Sequence, residues 1–186
     1  MKRFVIMGCG RVGATLAKWL DRDGYDVTII DRDPNAFTRL GHDFTKRGKT
    51  VSGDGIDEDV LRRAGIEGAD GFAAVTEGDN RNIMAAQIAQ IRFKVPNVIC
   101  RIYDPERQET YNGLGLNSIS PTIIGARFIK DALLPPGAGR DSEDHTLASG
   151  SSVPRTRLDN PAPANPADPS RDDARPAATA TRPPRL

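Results

Sequence analysis

Apolar residues fall in short runs separated by longer stretches of helical periodicity. Runs at 3–7 (RFVIM), 26–30 (DVTII), 49–52, 71–75 (GFAAV) and 97–101 (NVICR) are short and rich in β-branched or apolar side chains, so each is expected to be a strand. Between them, 12–20 repeats apolar residues at helical spacing. Pro34 suits the first turn of a helix running towards Phe44, and helices at 57–64 and 80–93 follow. Pro105 and Pro121 each open a later helix, the second reaching Leu134. Its Ile123, Ile124, Phe128, Ile129 and Leu133 form an apolar stripe, which either closes the core or meets another subunit. Strands alternating with helices of this length require right-handed crossovers. The expected fold is therefore α/β and doubly wound, a Rossmann-type, mostly parallel six-stranded sheet followed by a C-terminal crossover helix.

The pattern stops near Pro135. Residues 135–186 hold 10 of the 14 prolines, no aromatic residue, and seven arginines balanced by seven acids. Such a composition buries too little apolar surface to offset the entropy of ordering. The expected organisation is one domain over 1–134 and a disordered Pro/Arg/Asp-rich tail over 135–186.

Charge and cysteine content narrow the function. With 26 basic and 25 acidic residues the net charge is +1, so no global field gathers nucleic acid, and the dispersed basic residues form no groove-reading element. Any anion is to be bound locally. Cys9 and Cys100 are isolated, match neither a disulfide framework nor a CxxC pair, and read as buried strand-end residues of a reducing compartment. No stretch is apolar enough to span a bilayer and the start lacks signal-peptide order, so a soluble, cytoplasmic chain is expected. Two separated histidines and two separated cysteines offer no metal-ligand spacing.

The chemistry concentrates on GCGRVG, residues 8–13, which follows a strand and opens a helix. Gly8 permits the tight turn, Gly10 lets backbone approach a pyrophosphate, and Gly13 allows close helix packing. The phosphates would lie at the helix amino end, beside Cys9, Arg11 and Val12. Asp31, 23 residues after Gly8, ends the second strand where a carboxylate accepts from ribose hydroxyls; it favours NAD or an unphosphorylated adenosine ribose over NADP, an argument the adjacent Arg32 weakens. SGDG (52–55) and TEGDN (76–80) end the third and fourth strands and face the same crevice. There Asp54 either accepts from an adenine amino group or shapes a turn, and Thr76 and Asp79 are also cap-type residues. Arg101, ending the fifth strand, either reaches a phosphate or a partner's acid, or forms a structural ion pair. Arg11 either is solvated or forks onto phosphate oxygens of its own ligand or one across an interface.

With these residues placed, residues 1 to about 134 resemble the TrkA-N domain, also known as KTN or RCK, of potassium-transport regulators of the Trk/Ktr type. The resemblance is carried by FVIMGCGRVGATLAKWL, VTIIDRDPNAF, VSGDGIDEDVLRRAGIEGADGFAAVTEGDNRNIMAAQIA and VICRIYDPERQETYNGLGLNSISPT. It implies a regulatory subunit, not an enzyme, at the cytoplasmic face of a membrane potassium transporter or channel, gating transport by exchange of NAD(H) or of ATP and ADP in dimers or rings. By the same resemblance Gly8, Cys9, Gly10, Arg11, Val12 and Gly13 hold phosphates, Asp31 the ribose and Asp54 with Gly55 the adenine end. Thr76, Glu77 and Arg101 complete the pocket, and Arg11 meets the terminal phosphate of a neighbour's ATP. Many family members continue into a second, smaller α/β domain where this chain runs into the tail, so association with a longer paralogue is an alternative to a homo-oligomer.

Two other function classes are weighed. An NAD-dependent oxidoreductase needs a proton donor or acceptor near the nicotinamide, yet His42 reads as a surface helix residue, His145 lies in the tail, and Tyr103 has no lysine four residues on. A nucleotide-binding dimerisation module without a transport role needs only the apolar last helix.

Overall fold

A computed structural model describes residues 1–44 and 48–134. The expected tail, 135–186, lies outside the described residues, as does His145. Six strands, β1 (Arg3–Met7), β2 (Asp26–Asp31), β3 (Lys49–Ser52), β4 (Gly71–Ala74), β5 (Asn97–Arg101) and β6 (Ser118–Ile119), form one sheet in the order β3-β2-β1-β4-β5-β6. All five pairings are parallel. This is the doubly wound order, whose crevice opens where the direction of winding reverses, between β1 and β4.

Helices cover both faces, which explains why the central strands read as continuous apolar runs. Successive residues point to opposite faces. Val5 and Met7 therefore join one core with Ile30, Leu61, Ile66, Phe72 and Ile83, beneath α3 (Glu58–Arg63) and α4 (Asp79–Gln87). Ile6 joins the other with Ala14, Ala17, Val27, Ile29 and Phe44, beneath α1 (Arg11–Arg22) and α2 (Gly41–Phe44). The small Gly13, Ala14 and Ala17 bring α1 close to the strands.

Two helices differ from expectation. The segment from Pro34 to Phe44 is not one helix: a 3-10 helix, Pro34–Leu40, is capped by the Asp33 carboxylate accepting from the Asn35 amide at 2.9 Å. It stops at Gly41, whose φ of +75° breaks helical continuity where α2 begins. The helix expected at 80–93 begins as α4 and widens into a π-helical turn, Ile88–Arg92.

After β5, Asp104 caps α5 (Pro105–Gly113), and after β6, Ser120 caps α6 (Pro121–Leu133). Both prolines take first-turn positions, where no amide donor is needed. No residue of α6 is buried; Phe128, Ile129 and Leu133 are 62%, 63% and 78% exposed. The stripe therefore does not close the core of this chain. Among the described residues no helix is long and apolar enough to cross a membrane.

Candidate nucleotide site

At the carboxyl edge of the sheet a cleft of about 580 Å³ runs past the ends of β1, β2, β4 and β5. Such a volume accommodates a small ligand or cofactor. Every site residue expected from sequence lines it except Gly13 and Asp54.

The glycine loop is rigid by construction. Gly8 has φ +106°, and a Cβ there would meet the Thr76 amide nitrogen at 2.9 Å. A Cβ on Gly13 would lie 1.8 Å from the Gly8 carbonyl oxygen, so Gly13 lets α1 start directly against the loop. A Cβ on Gly10 would meet nothing within 4 Å. Gly10 is the N-cap of α1 and offers no side-chain cap, and the first turn has no acid, leaving amides and helix dipole open to an anion. Arg11 is exposed on the cleft wall and makes no hydrogen bond or ion pair among the described residues.

Asp31 ties this loop to the end of β2. Its Oδ2 accepts from the Cys9 amide at 2.6 Å and its Oδ1 from the Asp33 amide at 2.9 Å. Each carboxylate oxygen keeps a lone pair for a ribose hydroxyl. Cys9 is fully buried, with its Sγ 3.3 Å from the Ala36 carbonyl oxygen. Burial, reinforced by the Asp31 charge, pushes its thiol up to about 11. Burial and then Asp79 push Cys100 up to about 12. Both thiols stay protonated near neutrality and fill space.

On the far wall Asn82 is the keystone, and sequence reasoning missed it. Its side chain is fully buried. It accepts from the Thr76 amide (2.9 Å) and hydroxyl (2.7 Å) and donates to the carbonyls of Thr76 and Arg101, both at 2.9 Å. It thereby locks the end of β4 to the end of β5. Asp79 ties the next loop, accepting from the Tyr103 amide at 3.0 Å and the Asp104 amide at 3.4 Å.

Arg101 is 6% exposed yet lines the cleft. Its Nη2 donates to the Thr76 carbonyl and its guanidinium stacks 4.4 Å from the centre of the Tyr103 ring. Nε is buried without a partner, and no carboxylate forms an ion pair with Arg101 among the described residues. The structural ion pair considered for it from sequence is therefore not formed. Tyr103 was missed as a site residue, although it lies only two residues beyond Arg101.

Asp54 does not itself line the cleft but pairs with two arginines that do. Its Oδ1 accepts from Arg81 Nη2 at 2.5 Å and from the Ile56 amide at 3.3 Å, while Oδ2 lies 3.9 Å from Arg32 Nε. Arg81, in the first turn of α4, lines the cleft and was also missed. Gly55 brings this loop against the end of β1, where a Cβ would meet Met7 Sδ at 2.3 Å. Among the described residues the wall carries five arginines (11, 32, 39, 81 and 101) against three acids (Asp31, Asp33 and Glu77). A nearly neutral chain thus holds a locally cationic cleft.

The model of the TrkA-N domain matches residues 4–121. The chain belongs to the TrkA-N family. Over 138 residues it is 52% identical to the Trk system potassium uptake protein TrkA of Streptomyces coelicolor, an alignment covering 72% of this chain and 59% of that protein. This TrkA-N chain thus spans about three fifths of that curated relative's length. Among solved structures it is similar to the GsuK channel bound to NAD (25% identity, TM-score 0.59, 70% of this chain and 23% of that one). It is likewise similar to GsuK bound to ADP (26% identity, TM-score 0.58, 70% and 33%).

Proposed function

We propose that this TrkA-N chain is a nucleotide-sensing regulatory subunit of a membrane potassium uptake transporter or channel, responding to NAD(H) or to ATP and ADP. The observation that carries the reading is the convergence, on one cleft, of the open amino end of α1, the Asp31 carboxylate and five arginines. A diphosphate fits the first, an adenosine ribose the second, and the cationic wall the remaining charge. The name of the Streptomyces coelicolor relative and the two ligands of GsuK support the transport role and the nucleotide class.

In this reading Gly8, Cys9, Gly10 and Val12 present backbone to the phosphates, Gly13 sets the helix start, Asp31 binds the ribose, and Gly55 closes the floor. Thr76, Glu77 and Arg101 form the second half of the cleft, and Asp54 acts through Arg81. Arg11 forks onto a phosphate of its own ligand or of a neighbouring subunit's. The folded unit is 1–134 with 135–186 as a tail, and the chain works at the cytoplasmic face of the membrane as a homo-oligomer or with a longer paralogue. A ligand moves the ring only by the difference in its affinities for two arrangements. An exposed Arg11 on the cleft wall, without a partner among the described residues, supplies such a difference between ATP and ADP.

The reading is regulatory rather than catalytic. Among the described residues the cleft wall holds neither histidine nor lysine, and the one phenol there, Tyr103, is stacked under Arg101. The test is a thermal-shift series with NAD, NADH, ATP and ADP followed by nucleotide-dependent potassium uptake with the membrane subunit. Stabilisation by one nucleotide pair and uptake that follows it are expected. NADH oxidation with a small keto acid, without any effect on uptake, would replace the reading with an oxidoreductase.

A further inference from the structure

We propose that Arg81 is the second arm of a clamp on the ligand's diphosphate, closing from the wall opposite the glycine loop, with Asp54 as the residue that positions it. The inference rests on the nucleotide reading of the cleft and adds a specificity-determining residue to it.

The placement follows from the two-layer build. The glycine loop and α1 belong to one face of the sheet and pack on the core around Ile6 and Ile29. Arg81 rises from α4, which packs on the other face around Met7 and Phe72. Its guanidinium nevertheless reaches the cleft, because Asp54 draws it to the loop after β3, and Gly55 seats that loop against Met7 at the end of β1. β1 is also the strand that delivers Gly8. A diphosphate lying over the end of β1 therefore has α1 amides on one side and Arg81 on the other.

The contact pattern leaves the guanidinium available. Only Nη2 is engaged, by a single carboxylate oxygen at 2.5 Å, so most of its five N–H donors are unused among the described residues. The side chain is 30% exposed, and it lines the cleft whereas its carboxylate partner does not. Asp54 is itself braced by the Ile56 amide and faced by Arg32, which fixes the angle at which Arg81 is held. The neighbouring Arg101, buried and with an unpartnered Nε in the same cleft, is an independent sign that this wall suits an anion. A fixed, under-used guanidinium matches phosphate oxygens by its fork geometry, which a lysine does not reproduce.

The test uses the full chain and isothermal titration with adenosine, ADP and NAD. Arg81→Gln is expected to weaken ADP and NAD about tenfold, the scale of a lost hydrogen bond to a charged group, while adenosine binding is unchanged and reports an intact fold. Arg81→Lys is expected to recover only part of the loss. Asp54→Asn, which keeps the arginine but loosens its hold, is expected to lower the ADP-to-adenosine affinity ratio by a smaller factor. An unchanged ratio in Arg81→Gln, or equal losses for ADP and adenosine, overturns the assignment of Arg81 and leaves the nucleotide reading standing. A wild-type chain that binds none of the three overturns the nucleotide reading and the clamp together.

Discussion

Gly13 has no room for any side chain, because the position of its Cβ falls 1.8 Å from a backbone carbonyl oxygen that cannot give way. Gly13→Ala is expected to displace the start of α1, costing about 2 kcal/mol and weakening nucleotide binding, measured by urea denaturation and titration. Asn82→Ala is expected to cost about 3 kcal/mol, since it takes the Asn82 side chain from the Thr76 amide and from the buried Arg101 carbonyl, while the Thr76 carbonyl keeps only Arg101 Nη2. The cysteines give a pH signature. Their folded values, about 11 and about 12, stand above the ordinary thiol value of 9.0. Their contribution is therefore complete below pH 9 and is lost as pH rises through the folded values. Cys9→Ala and Cys100→Ala are expected to flatten the fall of the urea midpoint between pH 9 and 10.5 relative to the parent chain. The positions of Gly8, Gly10, Asp31 and Arg101 on the cleft were legible because they follow from spacing around one turn and from strand ends. Asn82 and Arg81 were not, because a polar residue in a first helical turn reads as solvated until the fold shows which strand end or loop it meets.

At the scale of elements, five of the six strands and the helices between them follow from apolar runs of the right length, whereas β6, two residues long, has no such run to mark it. The exceptions have local causes. Apolar periodicity carried the expected helix straight through Gly41, where the backbone takes a positive φ that a helix cannot use. The π turn at Ile88–Arg92 adds one residue to the helical repeat, a change invisible in a pattern that tolerates a residue of slip. The fate of α6 was open because an apolar stripe does not state what covers it. With Phe128, Ile129 and Leu133 all more than half exposed, the reading of the chain as an oligomer assigns this face to a second copy. A Phe128→Asp, Leu133→Asp chain is expected to run as a monomer in light scattering while the parent runs as a dimer or larger. A parent that is monomeric at micromolar concentration would remove α6 from the assembly.

Across the described residues, a strand order that reverses at β1 and β4 gathers positions from 7 to 103 onto one edge. Overall charge hid what that edge would carry, since +1 for the chain coexists with five arginines in one cleft. Truncation after residue 134 is expected to leave nucleotide affinity unchanged, because the described residues already line a cleft of nucleotide size. The central claim is that this cleft binds a nucleotide, and it is tested most directly by a thermal-shift series with NAD, NADH, ATP and ADP on the parent and on Gly10→Leu. Gly10 has empty space where a side chain would project, so Gly10→Leu is expected to fold and to fill the cleft at the helix amino end. A ligand at about one hundred times its dissociation constant adds about 2.7 kcal/mol of apparent stability. The account predicts that at least one nucleotide raises the parent's Tm by several degrees and that Gly10→Leu abolishes the rise; no shift in the parent with any of the four at millimolar concentration, or an equal shift in Gly10→Leu, would contradict it.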